Sequence, residues 1–157
     1  MRALTVMLMR HGHAVDDAPT LGDEGRWLTE KGRERTRDVA RRLSGWKRTP
    51  EVIFTSPLVR AVQTAEIVAA VLEHRGAISA LADLVVDGRP RAVSQWIHGY
   101  EGAASTMLLV GHEPSLSVLA NILLGEHRWE GFKKSQLLAL AIERGTPGAK
   151  VVDTIDP

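Results

Sequence analysis

The sequence contains no cysteine among its 157 residues. That absence excludes disulfide bonds, thiolate metal sites and every mechanism that begins with a cysteine nucleophile. The chain also lacks an excess of either charge, because 20 lysines and arginines stand against 19 aspartates and glutamates, for a net charge of +1. No global field therefore drives binding to nucleic acid or to a membrane surface, and we expect neither as a partner.

Long hydrophobic runs are absent as well, since no stretch approaches the length of a membrane-spanning helix. The apolar residues 3–9 are too few for a targeting signal, and no small-residue cleavage site follows them, so we expect a cytoplasmic protein. With 44% hydrophobic and 25% charged residues, the composition is ordinary for a globular protein with a real core. We expect one domain spanning residues 1–157.

Short apolar runs alternate with amphipathic stretches along the chain. The predicted strands cover residues 3–9, 52–55, 77–81, 105–110, 136–142 and 149–155. The predicted helices run from a cap at Thr29 to residue 43, and over residues 56–73, 91–100 and 114–124. Four strand–helix pairs followed by two strands favour an α/β fold, a three-layer α/β/α sandwich with a mainly parallel, mixed sheet.

Arg10, His11 and Gly12 follow the first predicted strand directly. Ligands bind at the carboxyl edge of open α/β sheets, so these residues stand where a site is expected. Arginine offers paired donors to phosphate oxygens, histidine has a nitrogen that can be neutral near pH 7, and glycine allows a ligand close to the backbone. Taken alone, however, the tripeptide favours a plain polar turn, so other residues must decide.

Two further strand ends carry comparable residues. After the second strand, Ser56 followed by proline predicts a helix start with Ser56 as N-cap, and Arg60 lies one turn further, on the flank of that helix. After the fourth strand, His112 repeats the pattern of a histidine that ends a buried strand. Gathered at one sheet edge, Arg10, His11, Arg60 and His112 form a cationic pocket suited to phosphate.

The chemistry of such a pocket follows from its charges. Two arginines bind the nonbridging phosphate oxygens and stabilise the charge that spreads over them in the transition state. Cationic neighbours disfavour the protonated form of His11, so a neutral ring nitrogen is available for in-line attack on phosphorus. The product is a phosphohistidine, which water hydrolyses.

These residues resemble the histidine phosphatase, or phosphoglycerate mutase-like, superfamily. The similarity rests on the tripeptide Arg10-His11-Gly12, on residues 56–65 and on residues 111–114, which occur in the family's order. The short length and residues 28–32 are similar to the small phosphohistidine phosphatases of the SixA type. This resemblance spans essentially the whole chain, and it implies the family's fold together with a metal-independent phosphatase that needs no cofactor.

The resemblance also implies roles for single residues. It makes His11 the phosphorylated nucleophile and gives the phosphate clamp to Arg10, Arg60 and His112. Gly12 would shape the pocket, while Ser56 either contributes to substrate binding or serves only as a helix cap. Larger family members supply a proton donor after the third strand, where Asp83 is the nearest match, although an aspartate at that point is also a common turn residue.

The expected substrate is a phosphohistidine protein or a small phosphate ester. A serine or sugar alkoxide leaves poorly without a proton, whereas the imidazole of a phosphohistidine can leave already protonated on its other nitrogen, so a weak acid suits the phosphohistidine better. The alternatives are a small-molecule phosphomonoesterase of the same superfamily and a noncatalytic phosphate- or phosphoprotein-binding module. The basic helix over residues 31–42 is either a solvated face, which is the commoner case, or a docking face for an acidic protein. The sequence does not fix the oligomeric state.

Overall fold

The computed structural model describes residues 3–16, 20–143 and 145–157. The polar, glycine-containing sequence of residues 16–26 predicts a loop, and its residues 17–19 lie outside the described residues. The strands are β1 (Ala3–Arg10), β2 (Val52–Thr55), β3 (Ile78–Ala80), β4 (Thr106–Gly111), β5 (Leu137–Glu143) and β6 (Lys150–Ile155). The helices are α1 (Glu30–Ser44), α2 (Val59–Val71), α3 (Pro90–His98) and α4 (Ser115–Leu124), with short 3-10 turns at Asp23–Gly25 and Ala82–Leu84.

The six strands pair into one sheet in the order β3-β2-β4-β1-β5-β6. The strands β3, β2, β4 and β1 run parallel to one another, whereas β5 pairs antiparallel with β1, and β6 pairs antiparallel with β5. At the centre, Arg10 at the end of β1 lies in register with Gly111 at the end of β4. The carboxyl ends of the two central strands therefore meet at the same point.

Helices cover both faces of the sheet, which confirms the predicted three-layer α/β/α architecture. Alternate residues of a strand point to opposite faces, so each central strand contributes to two cores. On the face of α3 and α4, the core contains Leu4, Leu8, Met107 and Leu109. On the face of α1 and α2, it contains Met7, Met9, Leu108 and Val110. No helix in the described ranges is long and apolar enough to cross a membrane.

The predicted start and buried face of α1 are confirmed. The Thr29 hydroxyl accepts a hydrogen bond from the backbone N–H of Gly32 at 3.0 Å, which satisfies one of the free donors of the first turn. The predicted face toward the sheet is buried along its length, as Gly32, Thr36, Val39, Ala40 and Leu43. The remaining faces of α1 carry its charged side chains.

The predicted start of α2 is wrong. The helix begins at Val59 with Leu58 as N-cap, and not at Ser56. The Ser56 hydroxyl instead accepts the Leu58 N–H at 3.2 Å, forming a turn before the helix, and also contacts His112. The predicted flank position of Arg60 is wrong too, because its side chain is buried within the helix face toward the protein. The buried face of α2 therefore includes Arg60 and Thr64 beside its apolar residues.

Candidate active site

His11 follows β1 at the carboxyl edge of the sheet. Its backbone N–H continues the strand pairing by donating to the Gly111 carbonyl at 3.1 Å, and the residue is only 6% exposed. The ring Nδ1 lies 2.7 Å from the carbonyl oxygen of Gly12. Because a carbonyl can only accept, Nδ1 carries the hydrogen, and in the neutral ring Nε2 keeps its lone pair. Of the two ring nitrogens of His11, Nε2 is therefore the one with an available lone pair.

Gly12 lies where three segments approach closely. A Cβ at this position would lie 2.7 Å from the Thr36 hydroxyl, 3.1 Å from the Gly32 carbonyl and 3.2 Å from the Ser135 hydroxyl. No side chain fits there without moving its neighbours. The Gly12 N–H donates to the Thr64 hydroxyl at 3.0 Å, which joins the residues after β1 to α2.

Arg60 is brought into the site by the first turn of α2. The Thr64 hydroxyl donates to the Arg60 carbonyl at 2.8 Å while it accepts from Gly12, so one hydroxyl links the helix turn to the backbone beside His11. The buried guanidinium donates to the backbone carbonyl of Asp23 at 2.8 Å and to its carboxylate at 3.3 Å. The 3-10 turn of Asp23 thus holds the arginine at the site, partly through an ion pair with its carboxylate.

His112 and Ser56 complete the opposite wall. The rings of His11 and His112 lie 4.9 Å apart between centroids and are inclined at 50°. The Nε2 of His112 is 2.7 Å from the Ser56 hydroxyl, and both side chains are almost fully buried. Ser56 therefore fixes the orientation of the His112 ring. Arg10 lies at the entrance, half-buried, and donates to the Phe132 carbonyl at 2.9 Å.

Burial, together with the positive charges of the site, keeps both imidazoles neutral. Burial is the main cause that lowers the pKa of His11 to about 3, although its hydrogen bond to Gly12 opposes the shift, and His112, Arg60 and Arg10 lower the pKa further. Burial, followed by the charge of Arg60, lowers the pKa of His112 to about 4. At neutral pH the pocket therefore combines two cationic guanidinium groups with two neutral rings.

Several buried nitrogen atoms of this cluster have no hydrogen-bond partner within the described residues. They are Nε of Arg10, Nε of Arg60 and Nδ1 of His112. Buried polar atoms are normally paired, so two unpaired guanidinium nitrogens beside the two imidazoles are compatible with an anionic ligand that offers acceptor oxygens. No group of three or more His, Asp or Glu side chains in the described part of the chain could hold a metal ion.

Asp83 lies close to this cluster, on the 3-10 turn after β3. It lines the same small cavity as His112, of about 10 Å³, too small for more than one water molecule. Its carboxylate accepts two hydrogen bonds from Arg89, at 3.0 and 3.3 Å. The structure thus brings Asp83 near His112 and gives it an arginine partner.

The family model of the histidine phosphatase superfamily (branch 1) matches residues 6–85 of this chain. These residues make up about half of the sequence and include His11, Arg60 and Asp83. The chain belongs to the histidine phosphatase superfamily. The predicted membership of that family is confirmed, and the enzyme is a phosphatase.

Individual relatives agree with this assignment. The histidine phosphatase is 35% identical over 126 residues to the phosphohistidine phosphatase SixA of Escherichia coli. The aligned residues cover 78% of this chain and 76% of that protein. It is 40% identical over 121 residues to an uncharacterized protein of Picosynechococcus, covering 76% of this chain and 73% of the relative. Its fold matches the structure of the protein histidine phosphatase SixA complexed with tungstate, with a TM-score of 0.90 and 26% identity. The match covers 97% of this chain and 96% of the SixA chain.

Sequence reasoning missed two contacts in this histidine phosphatase. Thr64 stands four residues after Arg60, a spacing that places both on one helix face, so the pattern contained a signal for it. Asp23 pairs with Arg60 across 37 positions of the chain, and no local pattern indicates that pairing. His13, two residues after His11, is half-buried with Nδ1 2.8 Å from the Thr29 hydroxyl.

Proposed function

We propose that this histidine phosphatase removes the phosphoryl group from a phosphohistidine of a protein, through a phosphorylated His11. The observation that carries the proposal is the pairing of a neutral, buried nucleophile with two arginines at one sheet edge. His11 has its Nδ1 hydrogen committed to Gly12, and Arg10 and Arg60 both act on it electrostatically. The similarity to phosphohistidine phosphatase SixA over most of the chain supports the substrate class.

The reaction has two steps in this proposal. In the first, Nε2 of His11 forms a bond to phosphorus while the bond between phosphorus and the substrate nitrogen breaks, and the substrate imidazole leaves with its electron pair. Arg10, Arg60 and His112 hold the nonbridging oxygens while their charge redistributes. In the second step, water attacks phosphorus, His11 is released, and inorganic phosphate departs. Gly12 lets the neighbouring segments pack closely behind His11 and accepts the Nδ1 hydrogen of that ring. Ser56 acts by orienting His112.

A phosphohistidine depends less than an alkyl ester on a proton donor at the position of Asp83. An alkoxide needs a proton from an acid as it leaves, whereas an imidazole protonated on its second nitrogen leaves as a neutral ring. In this proposal the reaction on phosphohistidine proceeds without proton transfer from Asp83, and the carboxylate serves only slower reactions with esters.

Trapping the phosphoenzyme tests the proposal. A peptide carrying radiolabelled phosphohistidine is mixed with the enzyme without added metal, and the reaction is stopped in alkali, in which a phosphorus–nitrogen bond survives. We expect label on the wild-type protein that acid removes, and a loss of turnover of about 10³-fold or more in His11→Ala. The control is His127→Ala, because His127 is an exposed histidine outside the site.

Two results would contradict the proposal. Turnover retained in a folded His11→Ala protein would exclude His11 as the nucleophile. A wild-type protein that binds inorganic phosphate but forms no acid-labile phosphoenzyme would instead support a phosphate-binding module. His11→Gln gives a second variant, with a side chain closer in size to the native one, in case His11→Ala does not fold.

A further inference from the structure

Three exposed cationic side chains lie beside the segment that carries the candidate nucleophile. Lys31 and Arg35 are four residues apart on α1 and therefore share one side of that helix. Lys134 comes from the segment before β5, on the other side of the same backbone. We call Lys31, Arg35 and Lys134 the basic rim.

Backbone contacts fix the basic rim next to the site. Gly32, adjacent to Lys31, lies so close to the His13 carbonyl that a Cβ would come within 2.1 Å of its oxygen. Ser135, adjacent to Lys134, donates its backbone N–H to the carbonyls of Arg10 and His11 at 3.1 and 3.2 Å. The basic rim is therefore separated from the nucleophile by only one or two residues of packed backbone.

The three cations of the basic rim all lie near His13 and act on its ring. Burial is the main cause that lowers the pKa of His13, and Lys134, Lys31 and Arg35 lower it further, while Asp16 raises it. Thr36, which follows Arg35, has its hydroxyl 3.0 Å from that of Ser135, so α1 and the Lys134 segment are in direct contact. The two sources of positive charge thus form one continuous patch.

The three cations of the basic rim have no ion-pair partner among the described residues. Arg41 pairs with Asp38 at 2.8 Å and Arg89 pairs with Asp83 at 3.0 Å, whereas no carboxylate of the described residues lies within 4 Å of the basic rim nitrogens. Other exposed cations in the described ranges are unpaired as well, so what distinguishes the basic rim is its position beside the segment of His11. Positive charge is therefore available for binding next to the site.

We propose that the basic rim docks an acidic surface of the protein that carries the phosphohistidine. His11 is 6% exposed, so a phosphoryl group attached to a protein reaches it only when the surrounding protein surface contacts the residues around the site. Carboxylates on that surface complement the basic rim, accelerate encounter and fix orientation. The inference rests on the proposed function, because a free small phosphate needs no such contact.

Two phosphohistidine peptides of equal length serve as probes. In one, the residues flanking the phosphohistidine are Asp and Glu, and in the other these are replaced by Asn and Gln. We expect the wild-type enzyme to favour the acidic peptide by about tenfold in kcat/KM at low salt, through KM rather than kcat, since each exposed charge pair contributes modestly. The preference should shrink as salt screens the charges.

The test variant combines Lys31→Gln, Arg35→Gln and Lys134→Gln. We expect it to lose the preference for the acidic peptide and to hydrolyse phosphoramidate, a small substrate with the same type of bond, as well as the wild type does. The matched control combines Lys47→Gln, Arg48→Gln and Arg75→Gln, which remove three exposed cations beyond the far ends of α1 and α2. The control should keep the preference.

Each contrary result has a distinct meaning. Equal kcat/KM of the wild type on the two peptides overturns the docking inference while leaving the phosphohistidine chemistry intact. An equal loss of preference in the control triple variant shows that overall charge decides, which also overturns it. A parallel loss of phosphoramidate turnover in the rim variant means a structural role. Failure of the wild type on phosphoramidate and on both peptides contradicts the proposed function itself.

Discussion

At the scale of single residues, the site is determined by which side-chain atoms already form hydrogen bonds within the protein. The Nδ1 hydrogen of His11 is donated to the Gly12 carbonyl, which leaves Nε2 as the free nitrogen. The Ser56 hydroxyl contacts His112, and the Arg60 guanidinium donates to Asp23. Each of these bonds orients a functional group, and the Asp23 carboxylate offsets part of the charge of Arg60 while Arg10 has no carboxylate within 4 Å among the described residues.

Asp83→Asn tests the division of labour between substrates. We expect kcat on an alkyl phosphate such as 2-phosphoglycerol to fall by about 100-fold, because the alkoxide loses its proton donor, while turnover of a phosphohistidine peptide changes by less than about twofold. Initial rates on both substrates measure the effect. Asp87→Asn, an exposed aspartate of the same segment, is the control and should change neither rate. Equal losses on both substrates would contradict the prediction.

At the scale of secondary-structure elements, the site forms where β1, β4 and α2 meet. The register partners Arg10 and Gly111 put the residues that follow them, His11 and His112, side by side. α2 then contributes Arg60 from its first turn. On the other side, α1 presses its Gly32 against the backbone of His13, which holds the segment after β1 in place. The position of α1 is therefore coupled to the position of His11.

Gly32→Ala tests this coupling. An alanine normally stabilises a helix interior relative to glycine, but here its Cβ would lie 2.1 Å from the His13 carbonyl oxygen, so α1 must shift. We expect the free energy of unfolding to fall by about 1–3 kcal/mol, measured by urea denaturation. Gly45→Ala at the end of the same helix is the control, because its nearest contact is 3.4 Å and its backbone is right-handed. A Gly32→Ala protein as stable as the wild type would rule out the close contact.

At the scale of the whole molecule, burial of the two imidazoles links folding to pH. The pKa of His11 is lowered to about 3 and that of His112 to about 4, from 6.5 for a free histidine. The unfolded chain therefore binds protons at a higher pH than the folded protein does. The stability contributed by the neutral rings is complete above pH 6.5 and is lost as the pH falls toward 4 and 3.

We expect the Tm of the wild type to fall more between pH 7 and pH 5 than that of the double variant His11→Asn, His112→Asn, because each imidazole contributes up to about 1.4 kcal/mol per pH unit in this window. Calorimetric scans of both proteins over the same pH series measure the difference. All other titrating groups are shared, so they largely cancel in the comparison. Parallel Tm curves would mean that the two rings do not stay neutral in the folded protein.

Much of the fold could be predicted from local pattern. The buried strands at 3–9 and 105–110, the Thr29 cap of α1 and the core face of α4 all follow from hydrophobic periodicity and capping chemistry. Strand and helix ends differ from the prediction by one or two residues in most elements, because local signals do not fix where pairing stops. The start of α2 could not be predicted. By sequence, Ser56 is a favourable N-cap and Leu58 is an unfavourable one, yet the helix begins after Leu58.

The sequence by itself determined the residue types of the site and their places after successive strands. It did so because phosphate binding demands arginine, histidine and glycine at strand ends, and three such motifs are together far more specific than one. Only the tertiary structure decided that β1 and β4 are neighbours, that Arg60 is buried, and that Asp23 contacts it. These depend on contacts between residues far apart in the chain, and an arginine on a helix has the same local sequence signal whether it faces solvent or a site.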